Sequence, residues 1–181
     1  MYKLVSLLAS LAALVMAGNI ALAQSATISS TATVLTPITA TATAPLAFGS
    51  LNKGTANSIS ASSASAGAAT FSGDEGDEIT ITVPASMTLS TVSGGGATMN
   101  GSINRSALRV NTTSAQAGAV TMDASNGSAT TSLSPDNSGN GVGNDGLGQV
   151  YLWVGGSVTP TATQQRGNYS GSFMVSAAYS N

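Results

Sequence analysis

The sequence contains no cysteine and no histidine, and only 7% of its 181 residues are charged, five cationic against seven acidic. Each absence excludes something. Without thiols no disulfide can close a loop, and without thiolate or imidazole there is no Cys- or His-based nucleophilic catalysis and no zinc site built on those ligands. Five cations in such a chain cannot form the basic footprint that holds nucleic acid. Aromatic residues make up 4% of the chain. What is abundant is small: one hundred of the residues are Ala, Gly, Ser or Thr.

One long apolar run is present, Leu4 to Ala17, preceded by Met1-Tyr2-Lys3 and followed by Ala21-Leu22-Ala23. The run is short for a bilayer span, and the small-x-small ending suits signal peptidase. Residues 1–23 are therefore expected to be a signal peptide. Cleavage after Ala23 leaves 158 of the 181 residues, enough for one domain with its own core. The expected products are an exported chain without a membrane span, located in the periplasm, at the cell surface or in an extracellular fibre.

Leu, Ile, Val and Phe make up 27 of those 158 residues, about 17%, a level at which disorder is suspected. Disorder also calls for high net charge, which is missing, and the periodicity argues against it. From Ala26 to Phe48 the even positions read Ala26, Ile28, Ser30, Ala32, Val34, Thr36, Ile38, Ala40, Ala42, Ala44, Leu46 and Phe48, with Thr or Ser at most odd positions. Period two over that length predicts extended chain, with Pro37 dividing it into two strands or marking an edge. Further strands are predicted over Glu78–Val83, Met87–Thr91, Leu108–Val110, Val120–Met122 and Val150–Val154, the last ended by Gly155-Gly156. The final strand is predicted as one element from Tyr169 to Tyr179. No apolar 3.6-residue period occurs after the leader. The expected fold is all-β, an antiparallel β-sandwich.

The end of the chain reads Gly167-x-Tyr169-x-Gly171-x-Phe173-x-Val175-x-x-x-Tyr179, after an apolar strand running into Val154-Gly155-Gly156. Near the start, Pro37-Ile38-Thr39 leads to Leu46-Ala47-Phe48-Gly49. In both markers the chain resembles a bacterial secreted family, domain of unknown function 4402. Its ending is also similar to the last strand of chaperone–usher pilins and of spore-coat-U-like proteins, with Gly167 and Tyr179 twelve residues apart. The cysteine pair of many pilins is absent. The resemblance implies an immunoglobulin-like or pilin-like sandwich over residues 37–181 that lacks one strand, completed by an extension from a neighbouring subunit. Residues 24–36 would be that extension, with Ala26, Ile28, Ala32 and Val34 as its donor face. Gly167, Tyr169, Phe173, Val175 and Tyr179 would form the zipper strand that receives it. The implied partners are identical or related subunits, with a periplasmic chaperone and usher. Pairing of the amino-terminal stretch within its own domain fits the same pattern.

Other groups carry less. Asp74, Glu75, Asp77 and Glu78 form the one acidic cluster, readable as a carboxylate pair or cation site but more simply as a solvated turn. Asp136 to Asp145 has oxygen side chains at alternate places, yet Leu147 stands where an EF-hand needs its bidentate Glu. Tyr151 and Trp153 share one face of their strand, and that pair would serve a sugar ring if it faced outward. Lys53 lacks a Ser-x-x-Lys arrangement, and Arg105, Arg109 and Arg166 are isolated. No cofactor, metal or catalytic residue is expected. The expected function is structural, a pilus-like, fimbria-like or biofilm subunit. The alternative is a monomeric module for glycan or calcium.

Overall fold

The computed structural model describes residues 29, 32, 34–92, 95–133 and 147–180. The chain divides into two units, Met1–Val34 and Leu35–Asn181, and the architecture described here is that of the second. The signal-peptide segment lies outside the described residues.

Thirteen strands, paired antiparallel throughout, occur among the described residues. The first sheet has the order β1 (Thr39–Ala44), β3 (Gly67–Asp74), β10 (Leu147–Val154), β7 (Leu108–Asn111), β8 (Val120–Met122). The second has the order β12 (Tyr169–Ser170), β5 (Ser86–Thr91), β6 (Thr98–Ile103), β11 (Gly156–Val158), β2 (Asn57–Ile59). The third is β13 (Ser176–Tyr179), β4 (Glu78–Thr82) and β9 (Ser128–Ser132). Strands β4 and β5 follow each other through Val83-Pro84-Ala85, and the carboxy-terminal segment pairs with both, β12 on β5 and β13 on β4.

One core holds these sheets together. The first sheet contributes Phe71, Leu108, Val150 and Leu152, and the other two contribute Ile79, Ile81 and Val158, each no more than 1% exposed. Each such side chain contributes about 1.5–3 kcal/mol on burial, so a chain poor in large apolar residues concentrates them at one interface. The fold is an all-β antiparallel sandwich, as the alternation predicts.

The structure differs from the sequence reading, or goes beyond it, in four places. Among the described residues of the stretch to Phe48, Thr39–Ala44 is strand, and Ala40 and Ala42 on its even face are exposed. A methyl group on an edge strand reaches little of the core. The larger Ile38, Leu46 and Phe48, outside the strand, pack against it instead. Second, Gly155-Gly156 ends the apolar strand as predicted, and beyond the prediction it carries the chain directly from the first sheet into the second. A Cβ would lie 2.4 Å from the Ile59 carbonyl oxygen at Gly155 and 2.6 Å from that of Ser102 at Gly156. Only glycine permits a crossing that close.

Third, strands β2, β3, β6, β9 and β11 have no counterpart in the prediction. Ser128–Ser132 reads SATTS, with no apolar/polar contrast to detect. Fourth, the last strand is two strands, with residues 171–175 outside either ladder. Its alternation survives the break: Tyr169, Phe173, Val175, Ala177 and Tyr179 are half-buried against the core, while Met174 is 82% exposed.

Candidate functional site: the carboxy-terminal edge and its clasp

The carboxy-terminal segment forms an outer border of the sandwich. Among the described residues β12 has β5 as its one strand neighbour, β13 has β4, and β1, one of the two borders of the first sheet, has β3. Natural edges are usually blunted by charge or proline. Residues Tyr169 to Tyr179 contain neither, and nor does β1. Two glycines shape this border for different reasons. Gly167 has φ +153°, which disfavours a side chain, while a Cβ on Gly171 would lie 2.1 Å from the Thr88 carbonyl oxygen. Gly171 therefore lets the segment press onto the β5 backbone as it passes from one sheet to the next.

Tyr179 closes the segment. Its hydroxyl accepts a hydrogen bond from the Asp74 amide at 2.7 Å and donates one to the Thr36 carbonyl at 2.6 Å. The Asp74 carboxylate accepts the Thr36 amide at 2.8 Å. The three residues form a clasp joining the chain ahead of β1, the end of β3 and the end of β13. Gly73 makes room for it, since a Cβ there would lie 2.6 Å from the Tyr179 hydroxyl and 3.0 Å from Leu133 Cδ1. One residue on, the Ser180 amide bonds the Glu78 carbonyl, and the Thr80 and Ser180 hydroxyls share a 2.6 Å hydrogen bond.

Sequence reasoning placed Tyr179 in the zipper but missed Asp74 and Thr36 as its partners. They stand 105 and 143 residues away, a separation at which no local pattern carries a signal. Of the donor-face residues, Ala26 and Ile28 lie outside the described residues, and Ala32 and Val34 are exposed, Val34 at 93%. The Asp136–Asp145 loop also lies outside them. The acidic cluster spans the β3–β4 turn, where Asp74 serves the clasp and the Asp77 carbonyl accepts the Leu133 amide. Among the described residues no three His, Cys, Asp or Glu side chains group as metal ligands.

Tyr151 and Trp153 do share the outer face of β10, stacked with ring centroids 6.4 Å apart. Trp153 nevertheless is 8% exposed, in a small cluster with Ala61, Ala66 and Ala119. Gln116 fastens that cover by donating to the Ala61 and Ser63 carbonyls at 2.8 and 3.0 Å. A covered indole offers a sugar little surface. Of the isolated arginines, Arg109 lies opposite Trp153 in the ladder and donates from Nη2 to the Ala119 carbonyl. A shallow groove between β8 and β9 is lined by Val110, Val120, Met122 and Ala129. In the turn after β8, hydrogen bonds from the Ser125 hydroxyl and amide hold the exposed Asp123 carboxyl below its ordinary value of 3.8.

Residues 9–179 match the family described as Domain of unknown function (DUF4402), and the chain belongs to that family. No curated protein and no solved structure matches it. No helix among the described residues is long and apolar enough to cross a membrane.

Proposed function

We propose that this member of the DUF4402 family is an exported structural subunit that assembles by β-strand donation. Its extension, residues 24–36, lays the donor face from Ala26 to Val34 along the carboxy-terminal edge of another subunit, identical or related, while Thr36 stays in its own clasp. The observation that carries the reading is that edge itself. It is uncharged, without a strand partner on its outer side among the described residues, and it offers half-buried Phe173, Val175 and Tyr179 at alternate positions. In β-augmentation, ladder hydrogen bonds supply affinity and alternate side chains supply fit. Ala26, Ile28, Ala32 and Val34 provide a matching small apolar series. An immunoglobulin-like, pilin-like sandwich lacking one strand would use a periplasmic chaperone and usher to keep that edge covered before assembly. No catalytic step enters this reading, and the covered Trp153 speaks against the glycan-module alternative.

The test is the size distribution of the secreted protein on SDS gels without boiling. Strand-joined sandwiches separate slowly, so a ladder of multimers is expected that collapses on boiling. Removal of residues 24–35 should leave a folded, exported monomer. A ladder of normal length from that truncated chain refutes strand donation.

A further inference from the structure

We infer that Asn126 is a self-modifying site: its carboxamide closes on the Gly127 nitrogen and leaves an aspartyl or isoaspartyl link, with an added negative charge, between β8 and β9. This chemistry does not depend on strand donation. Residues 123–127 carry the chain from β8, in the first sheet, to β9, in the third. Ala124 is buried and its amide bonds the Arg105 carbonyl at 2.8 Å, while the Gly127 carbonyl accepts the Val83 amide at 2.9 Å. Between these anchors the Gly127 amide bonds back to the Ala124 carbonyl at 2.7 Å, so Ser125 and Asn126 form the exposed tip of a turn. The Asn126 carboxamide has no hydrogen-bond partner among the described residues.

Closure needs no oxidant or cofactor. The Gly127 nitrogen, its proton given up to solvent, attacks Asn126 Cγ; the Cγ–Nδ2 bond breaks and ammonia leaves. Water then opens the succinimide ring at either carbonyl, giving an aspartyl residue or an isoaspartyl one whose main chain is a methylene longer. Gly127, at φ +105°, has no Cβ to obstruct the five-membered ring. The Arg105 guanidinium lies against it, with Nη1 3.5 Å from where a Cβ would stand. A positive charge therefore sits beside the nitrogen that must become anionic. The Asp123 carboxylate, the acidic group of the turn, is engaged by the Ser125 amide and hydroxyl. The bond from Gly127 to Ala124 must open first, which slows closure about two- to tenfold relative to an unfolded chain. The same Asn-Gly pair at Asn100 lacks this freedom. It lies within β6, with Gly101 paired to Met87 on one side and Val158 on the other, and Asn100 accepts the Thr88 hydroxyl at 3.2 Å. Asn140-Gly141 lies outside the described residues.

The test is peptide mapping by mass spectrometry after prolonged incubation of the folded protein at neutral pH, with isoaspartyl methyltransferase labelling to separate the two products. Conversion at Asn126 should exceed that at Asn100 by at least about a hundredfold, because Asn100 reacts only through larger openings of the sheets. In denaturant the two rates should converge. Arg105→Gln should slow conversion at Asn126 about fivefold at low salt. Arg105→Lys should keep most of the rate, and ~1 M salt should erase the difference. The converted protein should focus at lower pH. Its Val83 amide should lose hydrogen-exchange protection about tenfold, since the longer link displaces the Gly127 carbonyl that accepts it. Asn126→Gln should keep that protection through the same incubation. Equal conversion at Asn100 and Asn126 in the folded protein overturns the site. A rate at Asn126 indifferent to both Arg105→Gln and salt overturns the part given to Arg105. An undisturbed Val83 amide in the isoaspartyl product overturns the structural consequence.

Discussion

Gly171→Ala tests whether the carboxy-terminal segment is held by the close approach seen at β5. A Cβ at this position would lie 2.1 Å from the Thr88 carbonyl oxygen, 3.0 Å from Thr88 C and 3.2 Å from Leu89 Cα. All three are backbone atoms of a paired strand, so no side chain can swing aside. Regaining an ordinary contact of 3.4 Å requires the two backbones to part by about 1.3 Å. The neighbouring bond from the Val92 amide to the Asn168 carbonyl is 3.0 Å long, and a comparable shift takes it beyond hydrogen-bond range. Each lost ladder bond costs about 0.5–1.5 kcal/mol, and forced overpacking costs about 1–3 kcal/mol. Some core contact of Phe173 and Tyr169 is lost as well. The sum is about 2–4 kcal/mol.

In urea, with m of about 2 kcal/mol/M, this is a midpoint lowered by about 1–2 M. Gly167→Ala is the internal control. Its Cβ would meet nothing closer than Thr91 Cγ2 at 3.9 Å, so it carries only the conformational cost of φ +153°, about 1 kcal/mol. Equal midpoints for Gly171→Ala and the unaltered protein, or greater damage from Gly167→Ala, would refute the packing argument.

Two further outcomes are expected. Gln116→Ala removes both bonds that fasten the cover over Trp153, the sole tryptophan, so its emission should shift red and acrylamide quenching should rise with little change in stability; unchanged quenching means the alanines alone shield the ring. The Asp123 carboxyl should titrate below 3.8 by NMR, and Ser125→Ala should bring the midpoint back up, because the Ser125 hydroxyl bond is the main cause of its lowering. The sign follows from linkage: a lowered folded value means the contribution is present above pH 3.8 and fades as pH falls through the folded midpoint, so an acid-side stability profile indifferent to Ser125→Ala counts against it.

Alternation was legible wherever large apolar residues supplied contrast. Ile79, Ile81 and Val83 appear as one face in the sequence and are buried to within 1% in the fold. The same contrast marked β10, where Val150, Leu152 and Val154 turn to the main core and Tyr151 and Trp153 to the other side. It failed for β3, whose Gly67-Ala68-Ala69-Thr70 start shows no preference for either face although it lies between β1 and β10. A strand of small residues is specified by the ladders on both its sides rather than by its own pattern.

For the candidate site, the Gly167–Tyr179 spacing and its alternating apolar positions were present in the chain from the start. Composition and period two sufficed for the class of fold, because hydroxyl-bearing and small apolar residues at alternate positions cannot form an amphipathic helix. Two results came from the tertiary structure alone. One is that the last strand divides between two sheets, since a carbonyl oxygen at Thr88 sets how Gly171 must pass. The other is that Tyr179 meets Asp74 and Thr36, since bonds between residues over a hundred positions apart exist only once the two layers have closed on a shared core.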